Sequence, residues 1–156
     1  ILIGIVCFVF LFVRLRYGIL LSLVSFISAF FVSLLKQFYD EPRPSRYFAG
    51  QDVNWVDGID LYANHSFPSG HAAAAFTMFL LMSFFFNNKS LTAVFFVLAL
   101  LVAISRVYLF QHFLIDVWVG SLCGVVFGTI LFHLIMITPL FKNKTWHNWS
   151  LLKSPK

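Results

Sequence analysis

Five apolar stretches divide this chain, and its polar residues fall almost wholly between them. The stretches are Ile1–Val13, Tyr17–Phe38, Ser69–Phe86, Leu91–Leu109 and Phe113–Ile137. None alternates polar and apolar positions as a barrel strand does. A helix needs about 20 residues to cross the hydrocarbon layer, and each of the last four stretches is roughly that long. Backbone groups in lipid must be satisfied within their own segment, so the pattern predicts helices. The expected fold is all-α: a polytopic transmembrane helix bundle with four full spans and one partial span. The first stretch is too short to span, and it lacks the basic start and small-residue cleavage site of a signal peptide. It reads as the end of a transmembrane helix that begins upstream, so residues 1–156 read as a single integral-membrane domain, incomplete at its N-terminus.

Composition sharpens this picture. The chain is 60% hydrophobic and 11% charged, against about 25% charged in an ordinary soluble domain. A soluble enzyme or binding module is therefore excluded. Cys7 and Cys123 both lie inside apolar runs and form no CxxC pair, so neither a disulfide framework nor a zinc site is implied.

The charges fall on two sides. The connection at Arg14–Arg16, the one at Asn87–Ser90 and the tail from Pro139 share one side. They carry Arg14, Arg16, Lys89, Lys142, Lys144, Lys153 and Lys156 and no acid. The opposite side holds Lys36, Arg43, Arg46 and Arg106 with every acid of the chain: Asp40, Glu41, Asp52, Asp57, Asp60 and Asp116. Basic residues in short loops mark the cytoplasmic side. The tail, residues 139–156, is thus expected in the cytoplasm, and the long loop 39–68 on the non-cytoplasmic face of the cell (inner) membrane. That loop is broken by Pro42, Pro44, Gly50, Gly58 and Asn64, and its Tyr47, Phe48, Trp55 and Tyr62 suit a headgroup zone. The net charge of +5 follows from this partition. Without a basic, aromatic-interleaved soluble surface it does not indicate a nucleic-acid partner. Four Asn-x-Ser/Thr sequons begin at Asn64, Asn88, Asn143 and Asn148; three lie on the cytoplasmic side, and all read as chance.

The candidate chemistry gathers at one membrane face. Lys36 ends the second stretch, Arg106 closes the fourth, and Asp116 opens the fifth. A lone flank charge is usually a snorkelling side chain, but that does not explain why these share a face. Pro68-Ser69-Gly70-His71 opens the third stretch. Ser69 suits an N-cap, Gly70 lets backbone approach an anion, and a helix N-terminus favours phosphate. His112 and Asp116, four apart on one helix, share a face, so the carboxylate can orient the imidazole. An oriented histidine is how nucleophiles are activated. His133 and His147 read as structural, and His65 is ambiguous. No ligand set for a metal accompanies the cations, so no cofactor is expected.

Lys36-x6-Arg43-Pro44, Pro68-Ser69-Gly70-His71 and Ser105-Arg106-x5-His112-x3-Asp116 together resemble the signature of the type 2 phosphatidic acid phosphatase family, which vanadium haloperoxidases share. Every signature position is matched. Family members commonly have six transmembrane helices. The resemblance implies that His112 is the nucleophile that takes the phosphoryl group, that Asp116 orients it, and that His71 protonates the leaving oxygen and then activates water. It implies that Lys36, Arg43, Ser69, Gly70 and Arg106 hold the phosphate. The expected function is metal-independent hydrolysis of a membrane lipid phosphate or pyrophosphate, of the phosphatidic acid, phosphatidylglycerol phosphate, isoprenoid pyrophosphate or phosphorylated glycolipid class. A lipid phosphotransferase using the same site, and a non-enzymatic membrane protein, are the alternatives. Haloperoxidase chemistry does not suit a site at a headgroup zone, and oligomeric state leaves no mark on the sequence.

Overall fold

The computed structural model describes residues 2–52 and 62–138. Every regular element among them is a helix: α1 (Leu2–Val13), α2 (Leu15–Tyr39), α3 (Pro44–Tyr47), α4 (Gly70–Phe86), α5 (Lys89–Tyr108) and α6 (Leu114–Ile137). The apolar stretches end within two residues of these helices. The expected positions of Trp55, Asp57, Gly58 and Asp60, and of the tail 139–156, lie outside the described residues.

Three helices, those starting at Leu15, Lys89 and Leu114, are long and apolar enough to cross a membrane. The fourth apolar helix, α4, has 17 residues. At 1.5 Å per residue that is ~26 Å, a few Å less than the hydrocarbon thickness.

The short helix α4 is the hub. It contacts α2, α5 and α6, while α1 lies along α2, and α5 and α6 touch only lightly. Leu21 and Val24 of α2, Ala75, Met78, Phe79 and Leu81 of α4, and Phe95 and Ala99 of α5 form the buried centre. Large side chains such as Phe26, Phe38, Leu101, Ile104 and Trp118 face outward. A bundle apolar on both its inner and outer surfaces has lipid as its natural surroundings.

Lipid supplies no hydrophobic drive between helices, so close packing and interhelical hydrogen bonds must hold them. Both are present. The Ser28 and Thr77 hydroxyls lie 3.2 Å apart in the interior, and Thr77 Oγ1 donates to the Gly124 carbonyl at 3.1 Å. Such bonds contribute on average ~0.6 kcal/mol each. Gly120, Gly124 and Gly128 put one small-residue stripe of α6 against α4. A Cβ at Gly120 would strike the Ser69 carbonyl oxygen, and one at Gly124 the Ala73 carbonyl oxygen. The first of these contacts locks the start of α4 onto α6 beside the candidate site.

Candidate active site

The three motifs meet at one end of the bundle because each sits at a helix end there. Ser69 caps α4, its Oγ accepting from the Ala72 N–H at 3.4 Å. Its backbone N–H donates to the Asp116 carbonyl at 2.9 Å, which ties the second motif to the third. Gly70 lies against α2: a Cβ there would be 3.6 Å from Lys36 Cε, an ordinary contact.

Arg43 reaches the site by a fold-back. Helix α2 ends at Asp40 in a left-handed conformation (φ 40°), and the chain reverses through Pro42. The reversed segment then pairs with the stretch that leads into α4. Arg43 N–H donates to the Ala63 carbonyl, and Ser66 N–H to the Glu41 carbonyl, both at 2.9 Å. The Ser45 hydroxyl adds a bond to the Tyr62 carbonyl at 2.6 Å. Pro44 starts the single turn of α3, where its missing N–H costs nothing.

The cations are held by carbonyl oxygens. Lys36 Nζ donates to the His65 carbonyl at 2.7 Å and to that of Ser66 at 3.4 Å. Arg43 donates from Nε to the Asn64 carbonyl at 3.0 Å and from Nη1 to the Gln111 carbonyl at 3.3 Å. Arg106 reaches the Gln111 side-chain oxygen at 3.2 Å. Carbonyl partners aim these cations without neutralising them, so their charge is kept for an anion. All three remain only partly buried.

His112 is 2% exposed and Asp116 3%. His112 Nδ1 lies 3.6 Å from Asp116 Oδ2, which is ion-pair distance and longer than a direct hydrogen bond. The expected pairing is therefore present as a close ion-pair contact, longer than a short hydrogen bond. The buried hydroxyl of Ser66 lies beside the pair, donating to Asp116 Oδ2 and lying 3.5 Å from His112 Nδ1. Asp116 Oδ2 also accepts the Phe113 N–H at 2.9 Å, at the start of its own helix. Burial pushes the His112 imidazole below its usual range. Arg43 and Lys36 add to that, while Asp116 opposes it. The ring is thus neutral near pH 7, with a lone pair available. His71 stands exposed at the start of α4, near His112 and under the charges of Arg106, Arg43 and Lys36.

These features, cations held without carboxylate partners around a neutral buried histidine at a helix N-terminus, match what phosphoryl chemistry needs. The sequence model of the PAP2 superfamily matches residues 16–138, which include all three motifs. The chain belongs to the PAP2 superfamily. It is 28% identical over 116 residues to a lipid A 4'-phosphatase of Porphyromonas gingivalis, a match covering 73% of this chain and 47% of that protein. It thus spans about half the length of that curated relative. The crystal structure of Aquifex aeolicus LpxE superposes with a TM-score of 0.72 at 31% identity, covering 82% of this chain and 74% of that one.

Every residue expected in the site of this PAP2 chain, Lys36, Arg43, Ser69, Gly70, His71, Arg106, His112 and Asp116, lies at this one end. His65, left ambiguous by its position, turns its imidazole away to Asp40 (3.1 Å) and offers its carbonyl to Lys36. His133 is far off, near the other end of α6, its Nδ1 against the Thr129 carbonyl at 2.8 Å. The sequence reading missed Ser66 and Gln111. The only mark on Ser66 was its place in the Asn64 sequon, and its hydroxyl is buried. A cavity of about 490 Å³ opens beside Asp116, lined by Tyr39, Pro42, Tyr47, Phe67, Phe113 and Ile115. A larger one, about 590 Å³, lies toward the opposite end near Asn87, Lys89 and His133, away from the three motifs. Among the described residues, no group of three or more His, Cys, Asp or Glu could hold a metal ion.

Proposed function

We propose that this protein is a membrane lipid phosphatase that hydrolyses a phosphate monoester on a lipid, taking the phosphoryl group onto His112. The observation that carries the reading is the buried His112 beside Asp116, at the same end of the bundle as three cations whose charge is not spent on carboxylates. In the first step the His112 Nε2 lone pair forms the P–N bond as the P–O bond to the lipid breaks. His71 protonates the departing oxygen. In the second step His71 takes a proton from water, the water oxygen bonds to phosphorus, and the P–N electrons return to Nε2. Lys36, Arg43, Arg106, the Ser69 hydroxyl and the Gly70 amide hold the phosphate oxygens. Removing one such preorganised donor typically costs 10²–10³ in rate.

The kinship to a protein named lipid A 4'-phosphatase supports a phosphorylated glycolipid as the substrate class, ahead of phosphatidic acid, phosphatidylglycerol phosphate and isoprenoid pyrophosphate. The test is phosphate release by the full-length protein from micelles of each of these four lipids, with excess chelator present. The expected result is release from the glycolipid, with acid-labile phosphate on His112 in enzyme quenched during turnover. Label on another residue, or a strict need for added Mg²⁺, would refute the mechanism. Preference for a glycerolipid would refute the substrate class alone.

The charge partition supports a site on the non-cytoplasmic face. Single cysteines at Gln51 and Asn143, in a background without Cys7 and Cys123, should react with an impermeant thiol reagent on intact cells only at position 51. The reverse pattern would put the chemistry in the cytoplasmic leaflet.

A further inference from the structure

The distance from His112 to Asp116 leaves a question about the nucleophile. An imidazole attacks from Nε2 only if its proton stays on Nδ1, and a proton stays where a good acceptor meets it. Two oxygens face His112 Nδ1 at nearly the same distance, Asp116 Oδ2 at 3.6 Å and Ser66 Oγ at 3.5 Å. A hydroxyl carries one proton and two lone pairs. The Ser66 hydroxyl donates its proton to Asp116 Oδ2 and keeps a lone pair toward His112 Nδ1 at 3.5 Å.

We propose that Ser66 is a positioning residue for the phosphoryl-transfer step, its hydroxyl holding Asp116 Oδ2 beside His112 Nδ1 so that Nδ1 keeps its proton and Nε2 faces the phosphate. The inference rests on the reading of His112 as nucleophile.

Three observations place Ser66 beyond ordinary packing. First, its residue is 0% exposed, so no water competes for the hydroxyl. Second, Asp116 Oδ2 already accepts the Phe113 N–H at 2.9 Å, so the carboxylate is held on one side by its own helix start and on the other by Ser66. Third, the Ser66 backbone is bonded at both ends. Its N–H donates to the Glu41 carbonyl at 2.9 Å, and its carbonyl accepts from Lys36 Nζ at 3.4 Å. One residue thus links the segment that carries the phosphate cations to the group that orients the nucleophile. When phosphorus bonds to Nε2 the ring becomes cationic with its proton on Nδ1. The Ser66–Asp116 pair is then placed to stabilise that charge, and no proton needs to move from Nδ1.

The test compares wild type with Ser66→Ala and Ser66→Cys in the full-length protein, with His112→Ala as reference. Cysteine keeps the shape but is a weak donor and acceptor. Both Ser66 variants should lose kcat by roughly ten- to hundredfold, the range for losing a partner that orients a metal-bound histidine. KM should stay within about threefold, because the phosphate cations are untouched. The acid limb of the kcat/KM profile is a second readout. The groups facing His112 are Lys36 of α2, Arg43 before α3, His71 at the start of α4, and Asp116 of α6, with Arg106 of α5 acting on His71. Without the serine O–H, more of the Asp116 charge falls on the imidazole. The acid limb should move to higher pH.

The proposal is overturned if Ser66→Cys turns over at the wild-type rate, since shape would then suffice. It is overturned if both variants keep the wild-type kcat and acid limb while His112→Ala is inactive. A His112→Ala variant as active as wild type would refute the nucleophile reading itself, and this inference with it.

Discussion

The two ends of this bundle hold similar residue types and use them differently. At the end away from the motifs, polar bonds are mostly local. Arg14 reaches the Tyr17 hydroxyl three residues on, Asn88 caps its own helix, and His133 bonds a carbonyl one turn back. What joins the helices there is mainly aromatic, beside one bond from Arg16 to the Met136 sulfur at 3.1 Å: Tyr17 stacks on Phe85 with ring centres 4.4 Å apart, and Phe84 meets Phe132 at 4.8 Å. At the motif end the polar bonds cross elements. Lys36 of α2 holds the chain before α4, Arg43 reaches the residue before His112, and Ser69 of α4 bonds the backbone of α6. Local bonds finish a helix. Bonds between elements hold charged and titratable groups in a relative geometry, and chemistry needs that geometry.

The widest gap between the two ends should appear in their histidines. His112→Ala should lower kcat by at least about 10³-fold, the scale seen when a nucleophile or its base is removed. His133→Ala should leave it near wild type. Comparable losses from both, measured as phosphate release, would erase the distinction. The pH dependence sharpens it. Burial, with Arg43 and Lys36, lowers the His112 pKa below its ordinary value of 6.5 despite Asp116. With the neutral ring as the proposed nucleophile, activity should hold down to that value and fall only as pH drops through the lower, folded pKa. The same shift makes the protonated, unfolded chain gain ground below pH 6.5, so stability should also decline on the acid side. An acid limb centred well above 6.5 would contradict the burial argument.

The next largest effect concerns how α4 and α6 meet at each end. A Cβ at Gly120 would collide with the Ser69 backbone carbonyl, while one at Gly128 would lie 3.3 Å from the end of the Leu80 side chain, which can move. Gly120→Ala must shift the start of α4 and, with it, Ser69, Gly70 and His71. Misplacement by about 1 Å can cost a hundredfold in rate. A loss of that order is expected for Gly120→Ala, and near-wild-type turnover for Gly128→Ala. Equal activities would mean that the α4 start adapts freely, which the Ser69–Asp116 backbone bond argues against.

What was legible in the sequence follows the same division. Apolar runs report helices directly, because lipid leaves the backbone no other choice. The motif residues report the site, because charge at a membrane edge is costly and needs a reason. The partners of those residues were hidden. Lys36 and Arg43 are aimed by carbonyls of His65, Asn64 and Gln111, and a carbonyl has no letter in a sequence. Ser66 is one serine in a chain with many, and nothing in its neighbours announces that it meets His112 and Asp116. The His112–Asp116 spacing correctly predicted a shared face. It could not predict that the contact would be 3.6 Å long and flanked by a hydroxyl from another segment.

The smallest effect tests whether a polar bond at the opposite end is as local as it looks. Asn88 Oδ1 accepts the Leu91 N–H at 3.1 Å and so caps α5, as Ser69 caps α4. Replacing an N-cap by alanine costs about 1 kcal/mol. Asn88→Ala should therefore lower the thermal midpoint in detergent slightly and leave kcat and KM unchanged, because α5 reaches the site only at its far end, through Arg106. Ser69→Ala removes a cap of the same kind, but from a buried residue at the motif end whose backbone bonds Asp116. It should lose activity far beyond its loss of stability. If Asn88→Ala lowers kcat as much as Ser69→Ala does, the two ends are coupled through α5, and the cap at Asn88 is not local after all.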